Sequence, residues 1–269
     1  MISLTPGNPS ARRFDVRQPD FKPLLSIVCA VYNGAGSLDA LMSSYAAQQT
    51  SETELLIVDG QSRDSSWAMV QTRSGTVAAA VSEADRGIYD AWNKALPLCR
   101  SRFVSFIGCD DVLAPGALAA LLQHLRNLSE GEAHCPHLVA GFNVLTRSKI
   151  PVALFGAPYD AKRLVRRMMI AHVLAAHRLD WLRGAGGFNA DYQSSGDYEL
   201  MLRERAILRI DTIPAILCHI EDGGRSRQLL LPHVENCRAR VQNGVNPLVA
   251  WVLFARAMVF TGLRLLGLK

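Results

Sequence analysis

The sequence is poor in the motifs that would settle its chemistry at once. No G-x-G-x-x-G follows its first apolar run, and no G-x-x-x-x-G-K-[ST] occurs in its 269 residues. Both motifs use glycines to bring backbone N–H groups against phosphate, so a dinucleotide-dependent dehydrogenase and a P-loop NTPase are poor readings. Cys29, Cys99, Cys109, Cys135, Cys218 and Cys237 contain no C-x-x-C pair. That spacing implies neither a disulfide framework nor a zinc knuckle, and it fits a reducing, cytoplasmic compartment. Residues 1–23 hold Pro6, Pro9, Pro19 and Pro23 and no apolar stretch, so they read as a flexible arm without a secretory signal. There is no internal repeat and no low-complexity linker.

What is present is ordinary globular material: 49% hydrophobic and 20% charged residues. The charge is unevenly placed. Residues 1–150 carry 13 basic and 14 acidic side chains, and residues 151–269 carry 16 and 10. The basic second half points to an anionic partner. Nucleic acid is excluded as that partner, because the basic residues are not interleaved with a stacking platform and no nucleic-acid-binding motif occurs.

From residue 24 the texture changes. Short apolar runs at 24–31, 55–58, 77–81 and 103–107 read as strands buried on both faces. Helical spacing of apolar residues follows each, with Pro115 predicted in the first turn of one helix. This alternation predicts an α/β fold with a mostly parallel central sheet and flanking helices. After about residue 145 the pattern loosens, and 207–220 reads as a strand pair broken near Pro214. In parallel sheets ligands gather at the carboxyl ends of the strands. Three of these ends carry acids: Asp59, then Glu83 and Asp85, then Asp110 and Asp111. Each acid alone is also a common turn residue. Together they suit a nucleotide diphosphate, with carboxylates for base or ribose hydrogen bonds and for a hard divalent cation.

Four stretches in order then carry a family resemblance. They are Ser26–Asn33 (SIVCAVYN), Val58–Ser65 (VDGQSRDS), Ser82–Lys94 (SEADRGIYDAWNK) and Phe106–Asp111 (FIGCDD). Over residues 24 to 226 the chain resembles the family 2 glycosyltransferases, which have the Rossmann-like GT-A fold, in a branch that builds bacterial exopolysaccharide, capsule or O-antigen. The resemblance implies Tyr32 against the base, Asp59 and Asp85 at base or ribose, and Asp110 at ribose or sugar. It also implies Mn²⁺ or Mg²⁺ on Asp111 with Asp110. Many members have Asp or Asn where Cys109 stands. Lys94 is either a solvated helix residue or a phosphate contact.

In the second half, Gly186–Asn189 (GGFN) followed by Ser194–Leu200 (SSGDYEL) again resembles the family. The alignment makes Asp197 the general base of an inverting transfer, with Glu199 as the fallback. A first-turn Asp is also what the helix dipole favours. His172 and Arg225 are implied as acceptor or phosphate contacts. Residues 246–269 form an apolar-basic helix whose Arg256 and Arg264 oppose a transmembrane span. It is expected either to dock on the domain or to lie on the inner face of the plasma membrane. Arg163, Arg166, Arg167, Arg178 and Arg183 would favour such contact with anionic lipid.

The expected organisation is thus an arm (1–23), a glycosyltransferase domain (24–245) and a C-terminal helix (246–269). Within the domain, 24–128 is the nucleotide-sugar half and 129–245 the acceptor and base half. The expected activity is inverting transfer from a nucleotide-sugar donor, UDP-linked, to a hydroxyl of a lipid-linked or growing bacterial surface glycan. The alternative is a non-catalytic nucleotide-sugar-binding subunit of a polysaccharide assembly complex.

Overall fold

The computed structural model describes residues 11–128, 135–221 and 230–265. The apolar runs become parallel neighbours: β2 (Leu25–Val31) pairs with β3 (Thr53–Asp59) on one side and β5 (Phe103–Gly108) on the other, and β3 pairs with β4 (Ala79–Ser82). Alternate side chains enter two cores, as the two-residue period of a strand requires. Val28, Leu56, Val58 and Phe106 pack under α3 (Ile88–Ala95) with its Tyr89 and Trp92. Ile27, Cys29, Leu55, Ile57 and Ile107 pack under α1 (Leu38–Ala46), α2 (Ser66–Thr72) and α4 (Ala117–Arg126). Burial on both faces explains why these runs read as continuous rather than alternating. Pro115 lies before α4 rather than inside it, because Gly116, at φ +78°, makes the turn that admits the helix.

Part of the expected flexible arm is instead built into the sheet. β1 (Arg12–Asp15) adds an antiparallel edge strand to β4. Just after it the buried Arg17 guanidinium bonds the Asp15 carboxylate, the Leu98 carbonyl and Glu54 at 2.8 Å. Polar composition alone concealed this, since the tie depends on a buried acid 37 residues away.

The second half extends the same sheet less regularly. β5 pairs antiparallel with β9 (Ala176–Arg178), which pairs with β7 (Leu138–Arg147). β7 is flanked by β8 (Ile150–Phe155) and by β10 (Ile210–Glu221), and β10 also meets the short β6 (Val112–Leu113). The described sheet has ten strands. β10 is a single strand, not a pair. Pro214 has no N–H to give the ladder, and the register shifts on either side of Ile216. Helices α5 (Ala161–Arg166), α6 (Leu179–Gly184), α7 (Gly196–Arg203), α8 (Leu231–Gln242) and α9 (Pro247–Leu265) complete this half.

Candidate active site

The turns after β2 and β3 are locked into each other. Asn33 and Gln61 adopt left-handed backbone (φ +52° and +59°), which ordinary side chains enter only when surroundings impose it. The Asn33 N–H donates to the Ser62 hydroxyl, and the Arg63 N–H donates to the Asn33 side-chain oxygen, each at 2.8 Å. These turns, with the one after β4, wall a cleft of about 650 Å³. Its lining includes Tyr32, Gly60, Gln61, Arg63, Asp85, Arg86, Gly87, Ile88 and Gln193. That volume lies in the range of small-molecule sites. Tyr32 is 55% exposed there, so its ring face is available for stacking. A Cβ on Gly60 would collide with the Asp85 carboxylate and push that side chain aside.

Two of the expected donor contacts, Asp59 and Lys94, are engaged within the protein, and Arg225, expected at acceptor or phosphate, lies outside the described residues. Asp59 is fully buried behind the cleft wall. It accepts hydrogen bonds from the Ser62 N–H (3.1 Å) and the Ser82 hydroxyl (2.5 Å), with Arg12 of β1 at 3.9 Å. Its carboxylate shapes the turn. Lys94 reaches the Ala84 carbonyl, Glu83 at 3.4 Å and Asp90 at 3.3 Å, so it braces the loop between β4 and α3. In their place the cleft holds two cations. Arg86 is in loose contact with Asp90 and Asp191, at 3.6 and 3.9 Å. Arg63 was overlooked by sequence reasoning, and its only signal was its position just past the Asp-Gly turn.

Asp110 and Asp111 follow β5. Both carboxylates fold over Gly108: a Cβ there would lie 2.8 Å from one and 3.0 Å from the other. Asp110 is exposed, and Asp111 is buried, accepting the Gly108 N–H at 3.0 Å. Burial, and then the charge of Asp110, push the Asp111 carboxyl up to about 7 against that bond. A buried acid held beside another acid is an arrangement that a divalent cation would stabilise. Among the described residues no cluster of three or more His, Cys, Asp or Glu forms a protein cage. The fit is therefore to an ion shared with substrate phosphate, as Mg²⁺ or Mn²⁺ sites usually are. The Cys109 thiol is kept neutral by burial and by Asp110, so hard oxygen ligands dominate the site.

Asp197 sits partly exposed in the first turn of α7, four residues after Gln193 of the cleft wall. The Tyr89 hydroxyl of α3 donates to it at 3.2 Å. Gly196 admits this pairing, since a Cβ there would come within 2.8 Å of the Tyr89 ring. The loop before α7 is held from behind. Buried Glu235 of α8 accepts the N–H groups of Gln193, Ser194 and Ser195 at 2.8, 2.9 and 2.8 Å. Glu235 gave no signal in the sequence, for it belongs to no motif. Glu199 is buried and faces Arg203 and Asn243, and burial raises its carboxyl above the usual range. Asp197 is therefore the more accessible carboxylate of the two. His172 is also buried rather than lining the cleft. Its Nε2 is 3.0 Å from that of His177, within an aromatic box of Trp92, Phe106 and Phe188. Burial lowers the His172 pKa, with the charge of Asp197 opposing.

Comparison with known proteins bears on the family and the fold. The profile of glycosyl transferase family 2 matches residues 26–146. A PGL/p-HBAD biosynthesis glycosyltransferase of Mycobacterium bovis is 26% identical over 184 residues, 67% of this chain and 69% of that protein. Staphylococcus aureus TarS residues 1–349, solved in complex with UDP-GlcNAc, superposes with a TM-score of 0.60 at 14% identity, covering 89% of this chain and 72% of that one. The mannosyltransferase PcManGT of Pyrobaculum calidifontis, solved with GDP-Man and Mn²⁺, superposes with a TM-score of 0.59 at 18% identity, covering 92% and 77%. The largely parallel sheet and its neighbours are those of the GT-A fold. The family model over residues 26–146, the relatives and the fold neighbours together support a family 2 glycosyltransferase.

Proposed function

We propose that this glycosyltransferase transfers a sugar from a UDP-linked donor to a hydroxyl of a lipid-linked or growing bacterial surface glycan, with inversion at the anomeric carbon. The observation that carries the reading is the convergence on one cleft of an exposed aromatic, an acid, two cations and the loop leading to Asp197. Tyr32 stacks on the uracil ring. Asp85 accepts its imide N–H, a bond that suits a carboxylate. Arg63 and Arg86 oppose the diphosphate charge. Asp111 with Asp110 would hold Mn²⁺ or Mg²⁺, which stabilises the charge developing on the leaving diphosphate.

Asp197 takes the proton of the acceptor hydroxyl as that oxygen attacks the anomeric carbon from the side opposite the diphosphate. The C–O bond to the diphosphate breaks, and its electron pair leaves with the phosphate oxygen. Tyr89 holds Asp197 by donating a hydrogen bond to it. The mycobacterial relative is named for PGL/p-HBAD biosynthesis, which supports a glycosyl transfer in a biosynthetic route. A membrane-borne acceptor is in keeping with an enzyme that works at the inner face of the plasma membrane. Among the described residues no helix is long and apolar enough to cross one, so such contact would be peripheral.

Calorimetric titration with UDP, GDP, CMP and dTDP, each with and without Mn²⁺, tests the donor assignment. The expected result is Mn²⁺-dependent UDP binding that vanishes in Asp111→Ala. Preference for another nucleotide overturns the UDP assignment, and binding without transfer to any glycan would favour a non-catalytic binding subunit.

A further inference from the structure

The C-terminal helix leaves an apolar face uncovered. Leu248, Trp251, Val252 and Val259 of α9 are 76, 62, 67 and 60% exposed. They recur at three- and four-residue steps and their multiples, so they form one stripe along the helix. Ala250 is fully buried, on the side that packs against α8. A stripe of this kind on a soluble surface marks a contact face.

Beside the stripe runs a groove of about 410 Å³ between α5 and α9. Arg163, Arg166 and Arg167 line one wall, and Arg256 and Phe260 line the other. None of these four arginines forms an ion pair among the described residues. Asp160, whose charge Arg163 feels, is committed to capping α5 through the N–H groups of Lys162 and Arg163. Four cations next to exposed tryptophan, valine and leucine complement one kind of partner. That partner is a surface with anionic groups above an apolar interior.

We propose that α9 and the α5–α9 arginine groove dock the protein on an anionic phospholipid bilayer. Lipid phosphates pair with the arginine forks, and the α9 stripe enters the headgroup–acyl boundary. The docked face is rigidly tied to the base-bearing helix. The Tyr198 hydroxyl, next to Asp197, donates to the Leu164 and Val165 carbonyls of α5. Arg240 donates to the Val165 and Arg166 carbonyls. Docking thus sets the orientation of the acceptor half toward the membrane. The use of that orientation to present a lipid-linked acceptor rests on the proposed function, whereas docking itself does not.

The full chain with vesicles of phosphatidylcholine, alone or mixed with phosphatidylglycerol, provides the test. Of the four tryptophans, Trp67, Trp92 and Trp181 are buried and Trp251 is exposed, so a blue shift in emission reports α9. The expected result is co-sedimentation and a blue shift with the mixed vesicles, weakened by salt. The double variant Arg166→Glu/Arg167→Glu should lose about tenfold or more in partitioning. Trp251→Ser should lose the shift. Both variants should keep Mn²⁺-dependent UDP binding, which separates a docking defect from misfolding and from failure of the donor-site reading. Three results would overturn the proposal: no sedimentation with mixed vesicles, partitioning undiminished in the arginine variant, or a shift that follows protein concentration without lipid. The last would make the stripe an interface with a second copy.

Discussion

The two halves of the molecule solve the same problem by different means. In the half built on β2 to β5, each functional side chain lies within a few residues of the end of a buried strand, and the strand alone brings it to the cleft. Tyr32 follows β2 directly, Asp85 comes three residues after β4, and Asp110 two after β5. In the half built on β7 to α9, position comes from afar. Asp197 is held by Tyr89, 108 residues earlier, and its loop by Glu235, about 40 residues later. On the proposed reading, donor recognition is a property of local sequence on a regular sheet, while Asp197, the proposed base, is placed by tertiary contacts. Substitutions should separate accordingly.

The largest effect is expected at the base itself. Asp197→Asn should lower kcat by about 10²- to 10⁴-fold, the usual contribution of a general base, with UDP affinity unchanged. Equal loss of both quantities would break the division between halves. Next comes the arm. Removing the buried Arg17 strands Glu54, which is fully buried and 2.8 Å away. Arg17→Ala should cost about 3–5 kcal/mol of stability, the usual penalty for breaking a buried ion pair from one side. Chemical denaturation measures it, and an unchanged midpoint would show the arm to be peripheral to the donor half.

Glu235→Gln should come third. It weakens three charge-assisted bonds to the loop before α7, and a loss of about 2–3 kcal/mol is expected. The informative readout is kinetic. Here kcat should fall while Mn²⁺-dependent UDP affinity holds, because α8 supports the base and not the nucleotide. A change in UDP affinity alone would place Gln193 among the donor contacts.

These positions also show how far the sequence can be read. The parallel core was legible because its strands are buried on both faces and appear as unbroken apolar runs, and the acids after them were legible because turns follow strands. Asp59 and Lys94 occur in the expected motifs yet are engaged by neighbouring residues. A motif records which residues share a turn, not which of them a Ser82 hydroxyl or a Glu83 carboxylate has already engaged. Arg17 and Glu235 were invisible because their partners are distant in sequence. In β10, the lost ladder bond at Pro214 looked like a break between two strands, while pairing with β7 carried one strand through it.

The pH dependence of metal binding should be smaller, near tenfold per unit over a limited range. The fold raises the Asp111 carboxyl from 3.8 to about 7, so folding favours its protonated form. That contribution to stability is complete below about pH 4 and is lost as pH rises through 7. A divalent ion needs the carboxylate and must displace the proton. Mn²⁺ affinity should therefore rise with pH up to about 7 and level off above it, with proton release visible by calorimetry in buffers of different ionisation heat. A flat profile from pH 5 to about 8 would show that Asp110 alone governs the ion.

The smallest effect is the sharpest test of how the halves join. Tyr89 belongs to a helix of the first half yet donates to Asp197, the proposed base in the other half. Burial, and then the charge of Asp197, hold its phenol well above its usual pKa, so it remains a hydrogen-bond donor at every working pH. Tyr89→Phe removes that donor but leaves the ring, which packs against Trp92 at 5.3 Å and Phe188 at 5.6 Å. One bond to a charged acceptor is worth about 1.5–3 kcal/mol in burial, and less here because Asp197 is partly exposed to water. A drop of about three- to tenfold in kcat follows, with KM for the donor unchanged. A merely structural tyrosine would lower the melting temperature and leave kcat of the folded enzyme where it was.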